Sequence, residues 1–410
     1  MKLFRPLLLL AFSTALVHAA DWPQWRGKDR NDHSPDTSTL TSWPEKGPAS
    51  VWLFKDAGLG YSGYSVVDGK LFTMGAKDDG EHVISLDAET GKQLWSSTLD
   101  DRIYNNDWGN GPRGTPTVDS DRVYALTGNG ILGCLSVKDG KVLWKTDLTK
   151  DHGGKLQSWG YTESVLIDGN KVICTPGGKK GTMAAFDKMT GKLVWQSKDL
   201  SDEAQYSSAI LVEHGGVRQY VQLIGKKIFG IKSDSGDVAW QADFPGKVAV
   251  IPTPIYSNGH VYVTAGYGVG CQLLKLGGEK PELVYENDRM VNHHGGVILV
   301  DGKLYGHSDK GGWTCQDFMT GETLWQDKSF GKGCCSYVAG HLICVEEDSG
   351  KVALVEASTT GWKEKSRFKL DPQTTRRKSM GRVWTHPVIV DGRLYLRDQD
   401  LIYCFDVKGK

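Results

Sequence analysis

The sequence repeats one short segment, "SLDAETGKQLW" at residues 85–95, along much of its length. The pattern returns as "AFDKMTGKLVW" ending at Trp195, "GIKSDSGDVAW" ending at Trp240 and "CQDFMTGETLW" ending at Trp325. A shorter form, "SVKDGKVLW", ends at Trp144. In the full copies an Asp or Thr side chain can bond its own backbone, and a glycine takes the left-handed conformation of a tight turn. The repeat therefore predicts many copies of one β-hairpin.

A second kind of turn precedes each copy and completes a four-strand unit. Asp-Gly and Asn-Gly pairs are strong hairpin signals, because the turn needs positive φ at low cost. These turns are Asp68-Gly69, Asp168-Gly169, Asn258-Gly259, Asp301-Gly302, Ala339-Gly340 and Asp391-Gly392, with Asp119-Ser120 as a variant.

An aromatic residue marks the fourth strand of each unit. The aromatic residues are Trp52, Trp95, Trp144, Trp195, Trp240, Tyr285, Trp325 and Trp362, spaced 37 to 51 residues apart. A four-strand unit of this length, repeated with an aromatic marker, is typical of a β-propeller blade. We expect each ring to pack flat against the next blade and to join otherwise separate sheets.

The two ends of the chain predict how the ring closes. The strand "SVWLF" at residues 50–54 has no unit before it, and the unit at residues 386–407 has no fourth strand after it. Pairing the two would close the ring and remove its exposed edges. The sequence therefore predicts an all-β fold, an eight-bladed β-propeller of four-stranded antiparallel blades, as one domain over residues 50–410. Seven blades is the rival count, because the middle units are the least regular.

Residues 1–49 carry two further predictions. Lys2 and Arg5 precede a short apolar run at residues 7–17 and the small residues of "VHAA", which is the pattern of a signal peptide ending near residue 20. No later segment is a membrane-span candidate, so we expect an exported protein, periplasmic or extracellular. Residues 21–49, rich in Trp, Pro and Gly, are expected to form an irregular arm on the surface of the ring.

The net charge and the positions of the cysteines exclude some classes of function. Lys+Arg and Asp+Glu are both 49, so no net field draws in nucleic acid or an anionic membrane. The eight cysteines mostly recur at equivalent places in the repeat, too far apart in a radial fold for disulfides. We read these as small buried apolar residues, and we expect a monomer.

The repeats "LDAETGKQLW" and "FDKMTGKLVW" resemble the pyrroloquinoline-quinone (PQQ) repeat. The chain from residue 21 onward is similar to exported bacterial PQQ-like β-propeller proteins, and "DWPQWRG" and the closing unit resemble a subgroup loosely called alcohol dehydrogenase-like. The resemblance is specific for fold and much less so for activity. It implies either a quinoprotein dehydrogenase or a non-catalytic scaffold similar to the lipoprotein of the outer-membrane protein assembly machine.

In a propeller the loops that lead into the first strands form a funnel at one face, which is the default binding site. We call these the first-strand loops. The candidate ligand-binding residues that they carry are Tyr61, Trp108, Arg113, Trp159, Tyr161, Tyr206, His293, His294, Arg382, Trp384 and His386.

Several candidates have a structural alternative. Trp108 and Trp159 could instead fill gaps between blades, and Arg113 could pair with a buried carboxylate instead of a ligand. Adjacent residues on a strand point to opposite faces, so one of His293 and His294 should face away. With no third ligand at a recognisable spacing, we predict no metal site at this pair.

The resemblance to quinoproteins implies PQQ with a Ca²⁺ ion, held by an aromatic platform, arginines and oxygen ligands. The neighbours Cys334 and Cys335 invite comparison with the vicinal disulfide over that cofactor in the methanol dehydrogenase branch, although two free thiols fit equally well. Glu163 is the one carboxylate in the first-strand loops, which is few for Ca²⁺ and a catalytic base.

Three functions remain open. The first is a binding or scaffold propeller that recognises a small molecule, glycan or protein at its mouth. The second is a PQQ- and Ca²⁺-dependent alcohol or sugar dehydrogenase. The third is a propeller enzyme that acts on exported polysaccharide, with a histidine as acid or base.

Overall fold

The computed structural model describes residues 21–278 and 280–409, which form an all-β fold of 32 strands. The predicted signal peptide at residues 1–20 lies outside the described residues. Within the described part of the chain, no helix has the length and apolar character needed to cross a bilayer.

The strands form eight four-stranded antiparallel sheets, which confirms the predicted fold class. Blades one to four consist of β2 (Ser65–Val67), β3 (Lys70–Lys77), β4 (Gly80–Asp87) and β5 (Gln93–Asp100); β6 (Thr117–Asp119), β7 (Arg122–Leu126), β8 (Ile131–Ser136) and β9 (Val142–Asp147); β10 (Leu166–Asp168), β11 (Lys171–Cys174), β12 (Ala184–Asp187) and β13 (Leu193–Gln196); and β14 (Ile210–His214), β15 (Val217–Leu223), β16 (Lys227–Lys232) and β17 (Val238–Asp243).

Blades five to eight follow the same order, and the last of them takes its fourth strand from the other end of the chain. They consist of β18 (Ile255–Ser257), β19 (His260–Ala265), β20 (Gly270–Lys275) and β21 (Glu282–Asn287); β22 (Ile298–Val300), β23 (Lys303–Ser308), β24 (Gly312–Asp317) and β25 (Thr323–Asp327); β26 (Gly333–Val338), β27 (His341–Glu346), β28 (Lys351–Glu356) and β29 (Lys363–Lys369); and β30 (Val388–Val390), β31 (Arg393–Asp398), β32 (Leu401–Asp406) and β1 (Ala49–Phe54).

The ring closes where the sequence predicts. Strand β1 pairs antiparallel with β32, with Trp52 opposite Cys404 and Phe54 opposite Ile402. The blade count is therefore eight, and the seven-blade alternative is excluded. Closure in this way covers both strand edges that the chain ends would otherwise expose.

The aromatic marker and the turn glycine of the repeat fit together across neighbouring blades. The indole of Trp95 donates from Nε1 to the carbonyl of Val137 at 3.0 Å, in the turn of blade two. A Cβ added at Gly140 in that turn would lie 2.5 Å from the same indole. The repeat thus needs a glycine where the ring from the preceding blade rests. The same arrangement joins Trp52 with Ala88 and Gly91, Trp144 with Lys188 and Gly191, and Trp195 with Ser233 and Gly236.

Three of the eight markers differ from this arrangement. Trp325 donates from Nε1 to the carbonyl of Ser358 at 2.8 Å, but nothing lies within 4 Å of a Cβ built at Gly361 in that turn. Trp240 packs among residues of blade five but donates within its own blade, from Nε1 to Gln219 Oε1 at 2.6 Å. Trp362 packs backward, with its ring centroid 5.4 Å from that of Trp313 in blade six. The expectation that every marker packs on the next blade is therefore wrong for Trp362, because Trp313 and Phe330 offer it an aromatic pocket on the other side.

The first strands surround the axis and are linked by hydroxyl groups. Thr117 donates from Oγ1 to the carbonyl of Val165 at 2.6 Å, and Ser336 donates from Oγ to the carbonyl of Pro387 at 2.6 Å. Small hydroxyl side chains therefore occupy the crowded inner ring, where each can satisfy a backbone carbonyl of the next blade.

The arm at residues 21–48 does not simply lie on the outer surface, as the sequence suggested; part of it enters the channel. Trp22 forms a β-bridge with Val66 of blade one. The guanidinium of Arg30 donates to the carbonyls of Val165 at 2.5 Å and Ala209 at 2.7 Å, next to blades three and four. Arg26 and Arg30 satisfy inward-facing carbonyls, and Trp25 lies beside Arg26 at the axis, so the arm forms the floor of the channel.

Candidate functional site

A cavity of about 230 Å³ lies at the axis, between the first-strand loops and the arm. We call it the funnel. The loops from all eight blades reach it, so its wall is built from residues far apart in sequence. The lining residues are Trp25, Arg26, Tyr61, Trp108, Arg113, Trp159, Thr162, Ser164, Tyr206, Ser208, Ala249, Ile251, Pro252, Thr253, Tyr267, His293, His294, Gly296, Lys332, Glu347, Trp384 and His386.

The structure brings nine of the eleven sequence candidates together in this wall. They are Tyr61, Trp108, Arg113, Trp159, Tyr206, His293, His294, Trp384 and His386.

The other two candidates lie elsewhere. Tyr161 is buried between blades, where its hydroxyl donates to the carbonyl of Pro176 at 2.7 Å. Arg382 forms an ion pair with Asp348 and donates to the carbonyl of Ser379 at 3.1 Å. Neither side chain lines the funnel, because each has a polar partner elsewhere.

One half of the wall is aromatic. The ring centroids of Trp108 and Trp159 are 5.5 Å apart in an edge-to-face contact, and those of Trp159 and Tyr206 are also 5.5 Å apart. Tyr61 lies 5.0 Å from Trp384 by the same measure. Edge-to-face contacts between aromatic rings are favourable, so they hold this arc in a fixed shape.

Arg113 belongs to the aromatic half, although it is charged. Its guanidinium donates to the carbonyls of Gly109, at 2.7 Å, and Gly111, and its Cζ lies 4.6 Å from the ring centroid of Tyr104. Burial lowers the pKa of Arg113. The buried carboxyl of Glu81 acts on this guanidinium through its charge, and burial raises the pKa of Glu81 to about 7.

The opposite half of the wall is polar, and its centre is a carboxylate that the sequence candidates did not include. Glu347 accepts hydrogen bonds from the indole Nε1 of Trp384, at 2.7 Å, and from Nε2 of His294. Burial raises the pKa of Glu347 and lowers the pKa of His294 well below its usual value. The geometry therefore corresponds to a neutral imidazole that donates to the carboxyl group.

A second histidine lies beside this pair and contacts a lysine. Lys332 donates from Nζ to Nδ1 of His293 at 2.6 Å and pairs with Asp309 at 2.9 Å. Burial, followed by the charge of Lys332, lowers the pKa of His293 to about 4. Both His293 and His294 line the funnel, so the expected alternation is wrong, because β22 begins only at Ile298 and this loop has no strand geometry.

A buried ion pair ties the floor to the wall. Nε of Arg26 lies 2.6 Å from Oδ2 of Asp32, and Nδ1 of His386 lies 3.4 Å from the same oxygen. Although burial alone would raise it, the pKa of Asp32 is lowered by Arg26 and His386. Trp25 covers this group, with its ring centroid 4.6 Å from that of His386 and its Nε1 donating to Thr253 at 3.0 Å.

Two of the wall residues that sequence reasoning missed lie in a second kind of loop. Glu347 and Tyr267 follow the second strands β27 and β19, and in an antiparallel blade the turn after the second strand lies at the same end as the loop before the first. A search of both kinds of loop would have found them. Trp25 and Arg26 could not be found in this way, because only the path of the arm places them at the axis.

The two neighbouring cysteines do not form the vicinal disulfide that the family comparison raised. Cys334 and Cys335 are free thiols, each fully buried. They point to opposite faces of β26: Cys334 packs with blade eight, with its Sγ 3.6 Å from the carbonyl of Thr385, and Cys335 packs toward blade six. Neither lines the funnel.

The wall does not fit a Ca²⁺ ion. A Ca²⁺ ion takes six to eight oxygen ligands, mostly carboxylates and carbonyls. Across residues 21–278 and 280–409, no group of three His, Cys, Asp or Glu residues has the arrangement to hold a metal. Of the lining side chains, Glu347 alone is a carboxylate, and two hydrogen bonds already engage it. The residues present thus do not match the metal-assisted quinone chemistry that a quinoprotein dehydrogenase requires.

Comparisons with known proteins find both classes that the resemblance implied, quinone-dependent dehydrogenases and outer-membrane assembly proteins. A family model described as "Outer membrane protein assembly factor BamB" matches residues 79–327. The dehydrogenase subunit of a quinone alcohol dehydrogenase from Gluconacetobacter polyoxogenes is 28% identical over 45% of this chain and 27% of that protein. Outer membrane protein assembly factor BamB from Kangiella koreensis is 24% identical over 44% of this chain and 42% of that protein. The matches thus span less than half the length of these curated relatives.

A solved structure supports the fold over almost the whole chain. BamB from Moraxella catarrhalis superposes with a TM-score of 0.62 at 16% identity, covering 88% of this chain and 98% of that one. A sequence identity of 16% supports a similarity of fold only. With a family model matched over more than half of its length and eight blades of the expected kind, the chain belongs to the PQQ-like β-propeller family described as outer membrane protein assembly factor BamB.

Proposed function

We propose that this protein is an exported binding propeller whose funnel holds one small ligand, a single acidic sugar or the acidic end of a glycan, without transforming it. The observation that carries the proposal is the division of the funnel into an aromatic half and a polar half. A ligand with one apolar face and one polar, anionic edge complements both halves.

The aromatic half suits the flat side of a sugar ring. Trp108, Trp159 and Tyr206 offer rings that are already fixed by their own contacts, so a ligand would meet a preformed surface. The C–H face of a pyranose packs on such rings. A volume of about 230 Å³ is below the roughly 300–1,000 Å³ of pockets for drug-sized ligands, so one sugar ring is a better match than a large cofactor.

The charges of the wall favour an anionic substituent. Three of its side chains, Arg26, Arg113 and Lys332, are cationic, against the one carboxylate of Glu347. Asp32 and Asp309 balance two of these cations from behind the wall. Among the described residues Arg113 has no such ion pair, and its hydrogen bonds go to the carbonyls of Gly109 and Gly111. A carboxylate-bearing ligand would complete its coordination.

The absence of a catalytic step is inferred from the hydrogen bonds of the ionisable groups. Glu347 already accepts two hydrogen bonds, and Lys332 is engaged by His293 and Asp309. A general base must reach the proton that it abstracts, and groups held in this way would first have to exchange partners.

A quinone-dependent dehydrogenase is the second candidate function. It is favoured by the similarity to the dehydrogenase subunit and by the aromatic wall, which would suit a planar quinone. The lack of fitting metal ligands in the wall counts against it.

Calorimetry and tryptophan fluorescence on the purified full-length protein would test the proposal. The ligands are glucuronate and galacturonate, their neutral counterparts glucose and galactose, short acidic oligosaccharides, and PQQ with and without Ca²⁺. We expect the acidic sugars to bind more tightly than the neutral ones, with no change in their chemical structure after incubation.

Matched variants locate the binding. Trp159→Ala removes a wall ring and should abolish binding, whereas Tyr161→Phe changes the same loop away from the funnel and should leave it intact. Binding that survives in Trp159→Ala would contradict the proposal. PQQ binding with dye reduction by an alcohol would favour the dehydrogenase instead, and cleavage of an oligosaccharide would favour a polysaccharide-degrading enzyme.

A further inference from the structure

Blade seven carries three of the eight cysteines on a single hairpin. Strands β26 (Gly333–Val338) and β27 (His341–Glu346) are joined by the two residues Ala339 and Gly340, whose φ values are 43° and 82°. Positive φ at both central residues defines the type I′ turn that favours a tight two-residue hairpin.

The turn fixes which cross-strand pairs share hydrogen bonds. Val338 and His341 flank the turn and form a hydrogen-bonded pair, since a two-residue loop closes on that pair. Hydrogen-bonded and non-hydrogen-bonded pairs then alternate along an antiparallel ladder. Cys335 and Cys344 are directly opposite each other three pairs beyond Val338 and His341, so they form a non-hydrogen-bonded pair.

A non-hydrogen-bonded pair places two cysteines at a distance that a disulfide accepts. Its Cα atoms lie about 4.5 Å apart, with both side chains on the same face. Disulfides are found with Cα separations of about 4.4–6.8 Å. Cys335 and Cys344 also share one apolar cluster, and both are fully buried.

The neighbouring cysteine does not compete for this pairing. Cys334 is opposite Val345, and its side chain packs in a different cluster, toward blade eight. The pKa of Cys344 is raised first by burial and then by its contact with Cys335, which agrees with the two thiols facing each other.

We propose that Cys335 and Cys344 form a cross-strand disulfide when the chain folds in an oxidising compartment. One thiol loses its proton and attacks the disulfide of an oxidant of the thiol–disulfide exchange class, which gives a mixed disulfide and one released thiol. The second thiolate then attacks the protein sulfur of that mixed disulfide. Two electrons pass to the oxidant, which leaves as two thiols carrying the two protons.

The bond would act at the open end of a hairpin that reaches the funnel. Lys332 precedes Cys335 by three residues, Glu347 follows Cys344 by three, and the backbone N–H of Glu347 donates to the carbonyl of Lys332 at 2.8 Å. A disulfide between these points would hold the two strands together where they present Lys332 and Glu347 to the cavity. Because both sulfurs are buried, the exchange must take place before the blades pack together.

Mass spectrometry of the exported full-length protein tests the proposal. The protein is unfolded and alkylated without a reductant, and the tryptic peptide of residues 333–351, which contains all three cysteines, is measured. We expect one alkylated cysteine in this peptide, and a mass two hydrogen atoms below that of the peptide with one alkylated and two free thiols. Cleavage after Tyr337 or Leu342 should leave two fragments joined by the bond. Alkylation of all three cysteines would overturn the proposal.

Two variants identify the partners. Cys334→Ser should keep the bond, and Cys335→Ser should lose it. Loss of the bond in Cys334→Ser with retention in Cys335→Ser would overturn the assignment. The wild-type fragments alone decide between a bond and no bond if a variant fails to fold. Neither result depends on the identity of the funnel ligand.

Discussion

The indole of Trp52 rests on Gly91 across the seam that closes the ring. Trp52 lies on the N-terminal strand β1, and Gly91 lies in the last turn of blade one. The indole Nε1 donates to the carbonyl of Ala88 in that turn at 3.0 Å. One side chain therefore joins the strand that completes blade eight to the blade that follows it, by the same contact that the repeat uses elsewhere in the ring.

Because of this contact, adding a single methyl group at Gly91 should destabilise the folded protein unusually strongly. A Cβ at Gly91 would lie 2.6 Å from the indole of Trp52, and the residue has a φ of +71°. Left-handed backbone costs a residue with a side chain about 1–2 kcal/mol, and overpacking adds about 1–3 kcal/mol. Gly91→Ala should therefore lower the free energy of unfolding by the sum of both, as measured by chemical denaturation.

The same blade offers a matched control for backbone strain. Gly69 has a φ of +70°, and nothing lies within 4 Å of a Cβ built there. Gly69→Ala should cost the left-handed penalty alone. Equal losses in the two variants would show that the indole contact contributes little to the closure of the ring.

The repeat made the fold predictable, because each of its parts answers a local requirement. The turn glycines, the alternating strands and the aromatic markers depend on neighbours within one or two blades, so the blade count and the pairing of β1 with β32 followed from the sequence. Trp362 was misjudged because its partner Trp313 lies off the repeat position.

The funnel was predictable only in part, because it depends on where distant segments meet. The first-strand loops could be placed from the repeat alone, and nine of the eleven candidates lie in the wall. Glu347 lies beyond those loops, and Trp25 reaches the axis only through the path of the arm. Tyr161 and Arg382 show the converse, since their loops were placed correctly while local partners turned the side chains away.

The buried pair of Arg26 and Asp32 predicts a loss of stability in acid. The pKa of Asp32 lies below its usual value, so its contribution is present above the unfolded pKa of about 3.9 and is lost as the pH falls through the folded value. Asp32→Asn leaves Arg26 without its carboxylate and should cost about 3–5 kcal/mol at pH 7. Its unfolding free energy should also fall less steeply in acid than that of the wild type.

The control for this prediction is a surface pair. Asp56 pairs with Lys77 at 2.7 Å but is largely exposed, so Asp56→Asn should change little at either pH. If Asp32→Asn behaves like Asp56→Asn, the pair on the floor does not hold the arm in place.

The buried carboxyl of Glu163 should lower the free energy of unfolding as the pH rises toward neutrality, whereas Asp32 lowers it as the pH falls. Burial raises its pKa to about 7 in the folded protein, against about 4.3 in the unfolded chain. The folded state therefore holds the proton more tightly, and the stabilisation present below the unfolded pKa is lost as the pH rises to about 7. Unfolding free energies should be higher at pH 5 than at pH 8, and Glu163→Gln should reduce this difference.

The buried carboxyl of Glu81 provides a check on this assignment. Its pKa is also raised to about 7 by burial, so it should account for part of the same pH dependence. Replacing both residues with Gln should remove more of the difference between pH 5 and pH 8 than either change alone. An unaltered pH dependence in the double variant would contradict the assignment.

Removing a contact that holds the arm should lower both the stability of the protein and its affinity for acidic sugars. Arg30 is buried, and its guanidinium donates to the carbonyls of Val165 and Ala209. Arg30→Met keeps much of the side-chain length but removes the donor to the carbonyl of Ala209, at a cost of about 1–3 kcal/mol, while the carbonyl of Val165 keeps its hydrogen bond from Thr117. Arg382→Met removes an arginine that pairs with Asp348 away from the axis, so it should cost far less.

We expect Arg30→Met to expose the arm to limited proteolysis and to weaken acidic-sugar binding, because the floor of the funnel rests on this contact. An arm that stays protected while stability falls would mean that other contacts fix the floor independently of Arg30.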